Sequence, residues 1–229
     1  MSPTRSPVLL RRKEKQHSHR PPKRAWQTIA LLAMSLFFAA GLSAGCGAGR
    51  PSKYYRLAMP HDPGAAKSID PLPVTLLIGR LKASHLYRED RIVYTIKGEE
   101  MGTYEYQCWA EPPTEMIEEM LLLELRATGH YAGIYSVGSG TRGDYLLHGS
   151  LFDFKEVSGN GLQARVTLDL ELRDTKSGAT VWTHDYSHDE AVSGKEMSAV
   201  VAALDRNVQR GVSEIRASLD EYFAAHPPK

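Results

Sequence analysis

Two stretches of the chain hold residue types capable of chemistry. The first, WTHDYSHDE (Trp182–Glu190), gathers His184, Asp185, His188, Asp189 and Glu190. Imidazole and carboxylate are metal ligands, so a metal-dependent enzyme built on the His184–Glu190 cluster is one function to weigh. In an extended chain, however, His184, Trp182, Tyr186 and His188 share one face and the carboxylates are placed on the other. Ligands on opposite faces do not converge, which leaves a solvated edge strand as the simpler reading and no metal expected. The second stretch, LLAMSLFFAAGLSAGCGAGR (Leu31–Arg50), sets Cys46 directly after a long apolar run. The other cysteine, Cys108, stands between Gln107 and Trp109 with no basic neighbour to lower its pKa, and reads as a small buried hydrophobe rather than a nucleophile.

The residues ahead of Cys46 determine its chemistry. Arg5, Arg11, Arg12, Lys13, Lys15, Arg20, Lys23 and Arg24 precede an apolar run whose only polar side chains from Ile29 to Gly45 are Ser35 and Ser43. A basic region, an apolar region and small residues in that order form an export signal. The run is near the lower limit of roughly 17–25 residues for a membrane span, so an uncleaved anchor stays open. Either way the flanking positive charge keeps the N-terminus in the cytoplasm and sends the rest across. Ser43-Ala44-Gly45-Cys46 resembles the lipobox of bacterial lipoproteins, in which the cysteine is acylated and becomes the mature N-terminus. Here Leu42 lies four residues before the cysteine and Ser43 takes the place of the preferred leucine. Small residues there also suit an ordinary signal peptidase, in which case a Cys46–Cys108 disulfide is the competitor. Acyl chains anchor by about 0.8 kcal/mol per buried methylene, and stable attachment takes more than one chain, a requirement that a triacylated Cys46 meets. Gly47 rather than an aspartate after the cysteine points, by resemblance to envelope lipoproteins, to the outer membrane, with an inner-membrane anchor still open.

Without residues 1–45, which carry eight of the 28 Lys and Arg and one of the 27 Asp and Glu, the net charge is −6. That disfavours nucleic acid as a partner. The remaining length suffices for one domain with a real core.

The elements follow from periodicity and punctuation. Pro51, Pro60, Pro63, Pro71 and Pro73 mark an extended tether over residues 46–72, with a short edge strand at Tyr54–Leu57. Fully extended, Cys46–Leu72 would reach on the order of 90 Å. VTLLIG (Val74–Gly79) has buried-strand character, and RIVYTIK and TYEYQCW flank GEEMG as a β-hairpin bounded by Gly98 and Gly102. A helix follows, with Pro112 and Pro113 at its start, Glu115, Glu118 and Glu119 near its N-terminal dipole, Ile117, Met120, Leu121 and Leu125 as its buried stripe, and Gly129 at its end. After the strand YAGIYSV comes a meander, Tyr145–Phe154, Leu162–Arg173 and Ala179–His188, whose middle member alternates apolar and polar without a fault. Ser193 and Glu196 fit a capping box for a closing helix with apolar residues from Met197 to Phe223 at helical spacing. The expectation is a single α/β domain over residues 73–226, a mixed sheet of about five strands plus a β-hairpin, packed by two long helices.

Val74–Gly79 as first strand, YREDRIVY (Tyr87–Tyr94), YEYQCWAEPPTEM (Tyr104–Met116), GDYLLHGSLFDF (Gly143–Phe154) and the closing amphipathic helix resemble, in order and spacing, the ABC-type transport auxiliary lipoproteins of Mce systems. The paraquat-inducible lipoprotein C group is the best-known branch. The resemblance runs from KYYRL to Phe223. It implies a periplasmic, non-enzymatic α/β domain tethered to the outer membrane, without a cofactor. Its partners would be an Mce-domain protein that carries lipids between the membranes and the ABC transporter of that system. Some members assemble into homo-oligomeric rings.

The remaining motifs weigh little. TRGDY contains Arg-Gly-Asp but reads as a turn that starts the strand at Tyr145, and GSGTRG lacks the Lys-Ser/Thr of a phosphate-binding loop. Aromatic density says more: Tyr87, Tyr94, Tyr104, Tyr106 and Trp109 concentrate on the hairpin and its approaches. Tyrosine and tryptophan are common interface anchors, so these five form a candidate partner surface, with core packing as the competing explanation.

Overall fold

The computed structural model describes residues 50–60, 71–96, 100–159 and 161–228. The expected signal peptide, Cys46 and the turn glycine Gly98 lie outside the described residues.

The longest strand organises the sheet. Naming strands β1 (Lys53–Tyr55), β2 (Leu72–Ala83), β3 (Arg91–Ile96), β4 (Met101–Trp109), β5 (Tyr131–Ser136), β6 (Tyr145–Ser158), β7 (Leu162–Asp174) and β8 (Thr180–Ala191), it is β6, with 14 residues. At about 3.3 Å per residue such a strand can serve two partners in succession along one edge. It does so: β2 pairs parallel with its first half (Leu76↔Tyr145 to Ala83↔Leu151) and β3 parallel with its second (Val93↔Lys155 to Ile96↔Ser158). The one-turn helix α1 (His85–Arg88) links the two. Along the opposite edge β7 runs antiparallel over the full length of β6, and β8 follows β7. Outward from β2 lies β5, parallel, and outward from β3 lie β4, antiparallel, and β1, parallel to β4. The class is the expected one, a mixed α/β sheet, with eight strands and one short helix beyond the two long ones among the described residues.

The long helices, α2 (Pro113–Thr128) and α3 (Met197–Ala225), lie against one face of the sheet and touch each other, α2 over β2 and β5, α3 over β7 and β8. Helix α2 starts on prolines that need no donor and stops where Gly129 turns left-handed at φ 62°. Its Ile117, Met120, Leu121 and Leu125 are buried as the spacing predicts. The capping box does not form. Glu196 itself takes the N-cap position of α3 and makes no side-chain cap bond, so the helix begins at Met197 on backbone bonds from Ala199 and Val200 to the Glu196 carbonyl. In β7 the alternation holds: Ala164, Val166, Leu168, Leu170 and Leu172 are buried under α3, while Gln163, Arg165, Thr167, Asp169, Glu171 and Arg173 lie on the helix-free face. The β7–β8 turn closes on Asp174, whose Oδ1 accepts both the Lys176 and Ser177 amides at 2.8 Å, with Gly178 left-handed at φ 75°.

Close contact between α3 and the sheet needs a gap in the helix surface. Gly211 supplies it, since a Cβ there would stand 2.8 Å from Tyr186 Cε1. The Tyr186 hydroxyl donates into a buried polar knot, 2.6 Å from Asn207 Oδ1, and Asn207 Nδ2 donates to the carbonyls of Ala164 and His188, each at 2.8 Å. Asn207 is fully buried and satisfied, which is the condition for tolerating a polar group there.

Candidate interaction surfaces

The hairpin aromatics separate into two groups. Tyr87 and Trp109 are core residues, each 1% exposed. The Trp109 ring packs on Phe154 with centroids 5.2 Å apart, and the Tyr87 hydroxyl faces Asp153 Oδ1 at 3.5 Å. Burial first, then the Asp153 charge, holds that hydroxyl well above the usual tyrosine range. These two side chains leave any surface reading, because a strand end and a one-turn helix that fold over β6 bury them. Tyr94 and Tyr104 are half-buried and lie against each other at 4.8 Å. The Tyr94 ring covers Gly102, where a Cβ would come within 2.6 Å of it. Tyr104 donates to Glu156 Oε2 at 2.9 Å, and burial together with that bond raises its pKa. Glu156 was not singled out from sequence. It is only 7% exposed, and the signal for it is that it stands in phase with Phe154 on an alternating strand.

Tyr106 is elsewhere, next to the part of β4 (Gln107–Trp109) that pairs with β1. Arg50 Cζ stands 5.7 Å from the centre of its ring, a cation–π distance. A bulge between the Arg91↔Cys108 and Val93↔Thr103 pairs separates this end of β4 from the Tyr94–Tyr104 end. Beside it, Tyr54 is 65% exposed while Tyr55 turns inward and donates to Gln107 Oε1 at 2.8 Å. Leu57 is 2% exposed in the core, so the chain is already part of the folded body at this point. The docked segment from Lys53 to Leu57 is therefore not part of a free tether, which was expected over residues 46–72. Cys108 is free and buried, and burial raises its thiol pKa, away from nucleophilic use.

Within the His184–Glu190 cluster Asp185 is exposed, while His184, His188, Asp189 and Glu190 are engaged in structural contacts. His184 stacks on Trp182, with rings 5.7 Å apart and 5° from parallel. Asp189 is held by a bidentate pair of 2.7 Å bonds from Arg165, and Glu190 by Arg206 at 3.0 Å and Arg210 at 3.7 Å. Glu190 corrects the expected faces: it follows His188 by two residues and therefore shares the histidine side, toward α3, where His188 Nε2 is 3.5 Å from it. The Arg165 and Arg206 bonds hold the Asp189 and Glu190 carboxyls below their ordinary pKa values. Among the described residues no group of three or more His, Cys, Asp or Glu is placed to hold a metal. A cleft of about 520 Å³ opens on the helix-free face between Asp153, Arg165, Thr167 and Asp189, and its charges are paired with one another and with Lys155. Asp144 of the Arg-Gly-Asp tripeptide accepts the Thr75 amide at 2.9 Å, a strap to β2 just ahead of β6, which starts at Tyr145 as expected.

Among the described residues no helix is long and apolar enough to cross a membrane. No curated protein matches the chain. Two solved structures show the same fold. One is a Xanthomonas campestris protein, 19% identical with TM-score 0.67, over 76% of this chain and 98% of that one. The other is described only as an uncharacterized protein, 12% identical with TM-score 0.59, over 74% and 99%. The family model of the ABC-type transport auxiliary lipoprotein component matches residues 55–216, most of the chain and nearly all of the folded domain. The chain belongs to the family of ABC-type transport auxiliary lipoprotein components.

Proposed function

We propose that this protein is a non-enzymatic auxiliary subunit of an Mce-type ABC lipid-transport system, fixed in the periplasm to the outer membrane through an acylated Cys46. The family match over residues 55–216 carries the reading. Its role is docking: it holds the complex that passes lipid between the membranes by binding the Mce-domain protein. The β3–β4 hairpin is the contact surface, with Tyr94 and Tyr104 as its half-buried aromatic anchors. The Tyr104–Glu156 bond supports this assignment, because a ring held by a buried carboxylate is presented in one orientation, which lowers the entropy lost on binding. Assembly of several copies into a ring would repeat that surface around an axis.

The metal-enzyme alternative draws no support from the geometry, since Asp189 and Glu190 are each neutralised by arginine. The test is mild-detergent purification of the acylated protein from native envelopes. Recovery of an Mce-domain protein with it is expected, reduced about tenfold by Tyr104→Ala in a chain that still folds, the loss of one interface anchor. Failure to recover any Mce-domain protein would refute the docking role, and mass spectrometry finding Cys46 without acyl chains would refute the anchor.

A further inference from the structure

The segment from Cys46 to Pro60, CGAGRPSKYYRLAMP, carries Arg50, Lys53 and Arg56 and no acid, while everything after it has a net charge of −9. A basic, aromatic stretch at the start of an acidic domain is a local feature, not a reflection of composition. Arg56 is bound to Glu119 at 3.3 Å, but Arg50 and Lys53 are exposed. Strand β1 then sorts its two tyrosines: Tyr55 packs inward on Gln107, and Tyr54 points out at 65% exposure, the largest of the exposed apolar side chains among the described residues. Tyr106, under Arg50, stands two residues before Cys108, the β4 partner of Tyr54, so it lies on the same side of the β1–β4 ladder.

Covalent length determines what this face meets. From Cys46 to Arg50 the chain can span at most about 13 Å, and to Tyr54 about 26 Å. We infer that the β1–β4 edge is a lipid-contacting surface, with Tyr54 and Tyr106 seated at the headgroup level of the anchoring leaflet and Arg50 and Lys53 on anionic headgroups. This rests on the acylated Cys46 of the preceding section and adds to it a fixed orientation: the domain sits on the bilayer by its β1 edge. Tyrosine suits that depth because its ring is apolar and its hydroxyl is wet, and basic side chains near an anionic surface keep their charged ends at the phosphates. A second protein is the rival occupant of the same face, and the test separates the two.

The mature acylated protein, beginning at Cys46 and carrying Tyr54→Trp, is reconstituted alone into vesicles of phosphatidylethanolamine and phosphatidylglycerol, with and without dibrominated acyl chains. Cys46 acylation is verified by mass spectrometry on the same sample. The emission added by the introduced indole should fall about twofold in brominated vesicles, as for a ring within 5–10 Å of the acyl boundary, while that of Trp109 and Trp182 stays unchanged. Replacing Arg50 and Lys53 by glutamate (R50E/K53E) should abolish the quenching with the acyl anchor intact. An unquenched indole at position 54 in a sample with acylated Cys46 overturns the orientation and leaves the anchor standing. An indole there that is unquenched by bromine yet shielded from acrylamide points to a second copy of this chain as the occupant and likewise overturns it. Cys46 without acyl chains overturns both.

Discussion

Replacing Gly211 by alanine should destabilise the domain, although alanine is the better helix former. In an exposed helix interior the exchange would stabilise by about 1 kcal/mol. Here the new Cβ meets three atoms of the Tyr186 ring at 2.8, 3.0 and 3.0 Å, inside any normal contact. The ring cannot swing aside freely. It is 4% exposed, and its hydroxyl is held 2.6 Å from Asn207 Oδ1 and 2.9 Å from the Asn207 carbonyl. Relief therefore moves α3 off β8 or breaks bonds in the Asn207 knot. Overpacking of this kind costs about 1–3 kcal/mol, and a lost buried hydrogen bond adds about 1 kcal/mol. Set against the propensity gain, the net loss is about 1–3 kcal/mol. Urea unfolding of the mature chain with Cys46→Ser should show the midpoint falling by roughly 0.5–1 M at unchanged slope. The mechanism is isolated by a second variant: in a Tyr186→Val background the obstructing ring is gone, and Gly211→Ala should become neutral or stabilising, a coupling of about 1–3 kcal/mol. A Gly211→Ala protein more stable than the parent, or one equally damaged with and without the Tyr186 ring, would refute the argument.

Other expectations follow from the same contacts. Trp109→Ala should cost about 3–5 kcal/mol in urea unfolding, as for a fully buried aromatic, whereas Tyr54→Ala should leave the midpoint within about 0.5 kcal/mol of the parent. Asn207→Leu should lower stability by about 2–4 kcal/mol, because it takes the donor from the Ala164 and His188 carbonyls and leaves the Tyr186 hydroxyl only the backbone carbonyl of residue 207. Acid should weaken the fold through Asp174, Asp189 and Glu190, whose pKa values are lowered in the folded state. Their stabilisation is present above the unfolded carboxylate range near pH 4 and is lost as pH falls through the lowered folded values, so Asp189→Asn should flatten the acid limb of a stability–pH curve. Alkali should act oppositely on Tyr87, Tyr104, Tyr131 and Tyr186, whose pKa values are raised mainly by burial. Their contribution is complete below the unfolded tyrosine value near 10 and is lost above it, so in an ultraviolet titration these four should ionise only as the domain unfolds.

Much of this was legible in the chain itself, because it depends on local periodicity. The faultless alternation of β7, the prolines and glycine that bracket α2 and the apolar stripe of α3 are each dictated by backbone geometry within a few residues, and the structure places them as the pattern predicts. The order of motifs behind Cys46 was enough to indicate the family. What the chain did not declare depends on contacts between distant segments. Tyr87 and Trp109 look like Tyr94 and Tyr104 in sequence, and only the fold of the one-turn helix and of the end of β4 over β6 buries the first pair. Glu190 looks like a ligand until α3 brings Arg206 and Arg210 to it from 16 and 20 residues away. The sequence marks a short edge strand at Tyr54–Leu57 between the prolines, but not its partner: β4, some 50 residues further on, offers it a free edge and Leu57 is drawn into the core. Spacing records which face of an element is apolar, but not which neighbour will cover it, since that is settled by packing across the whole chain.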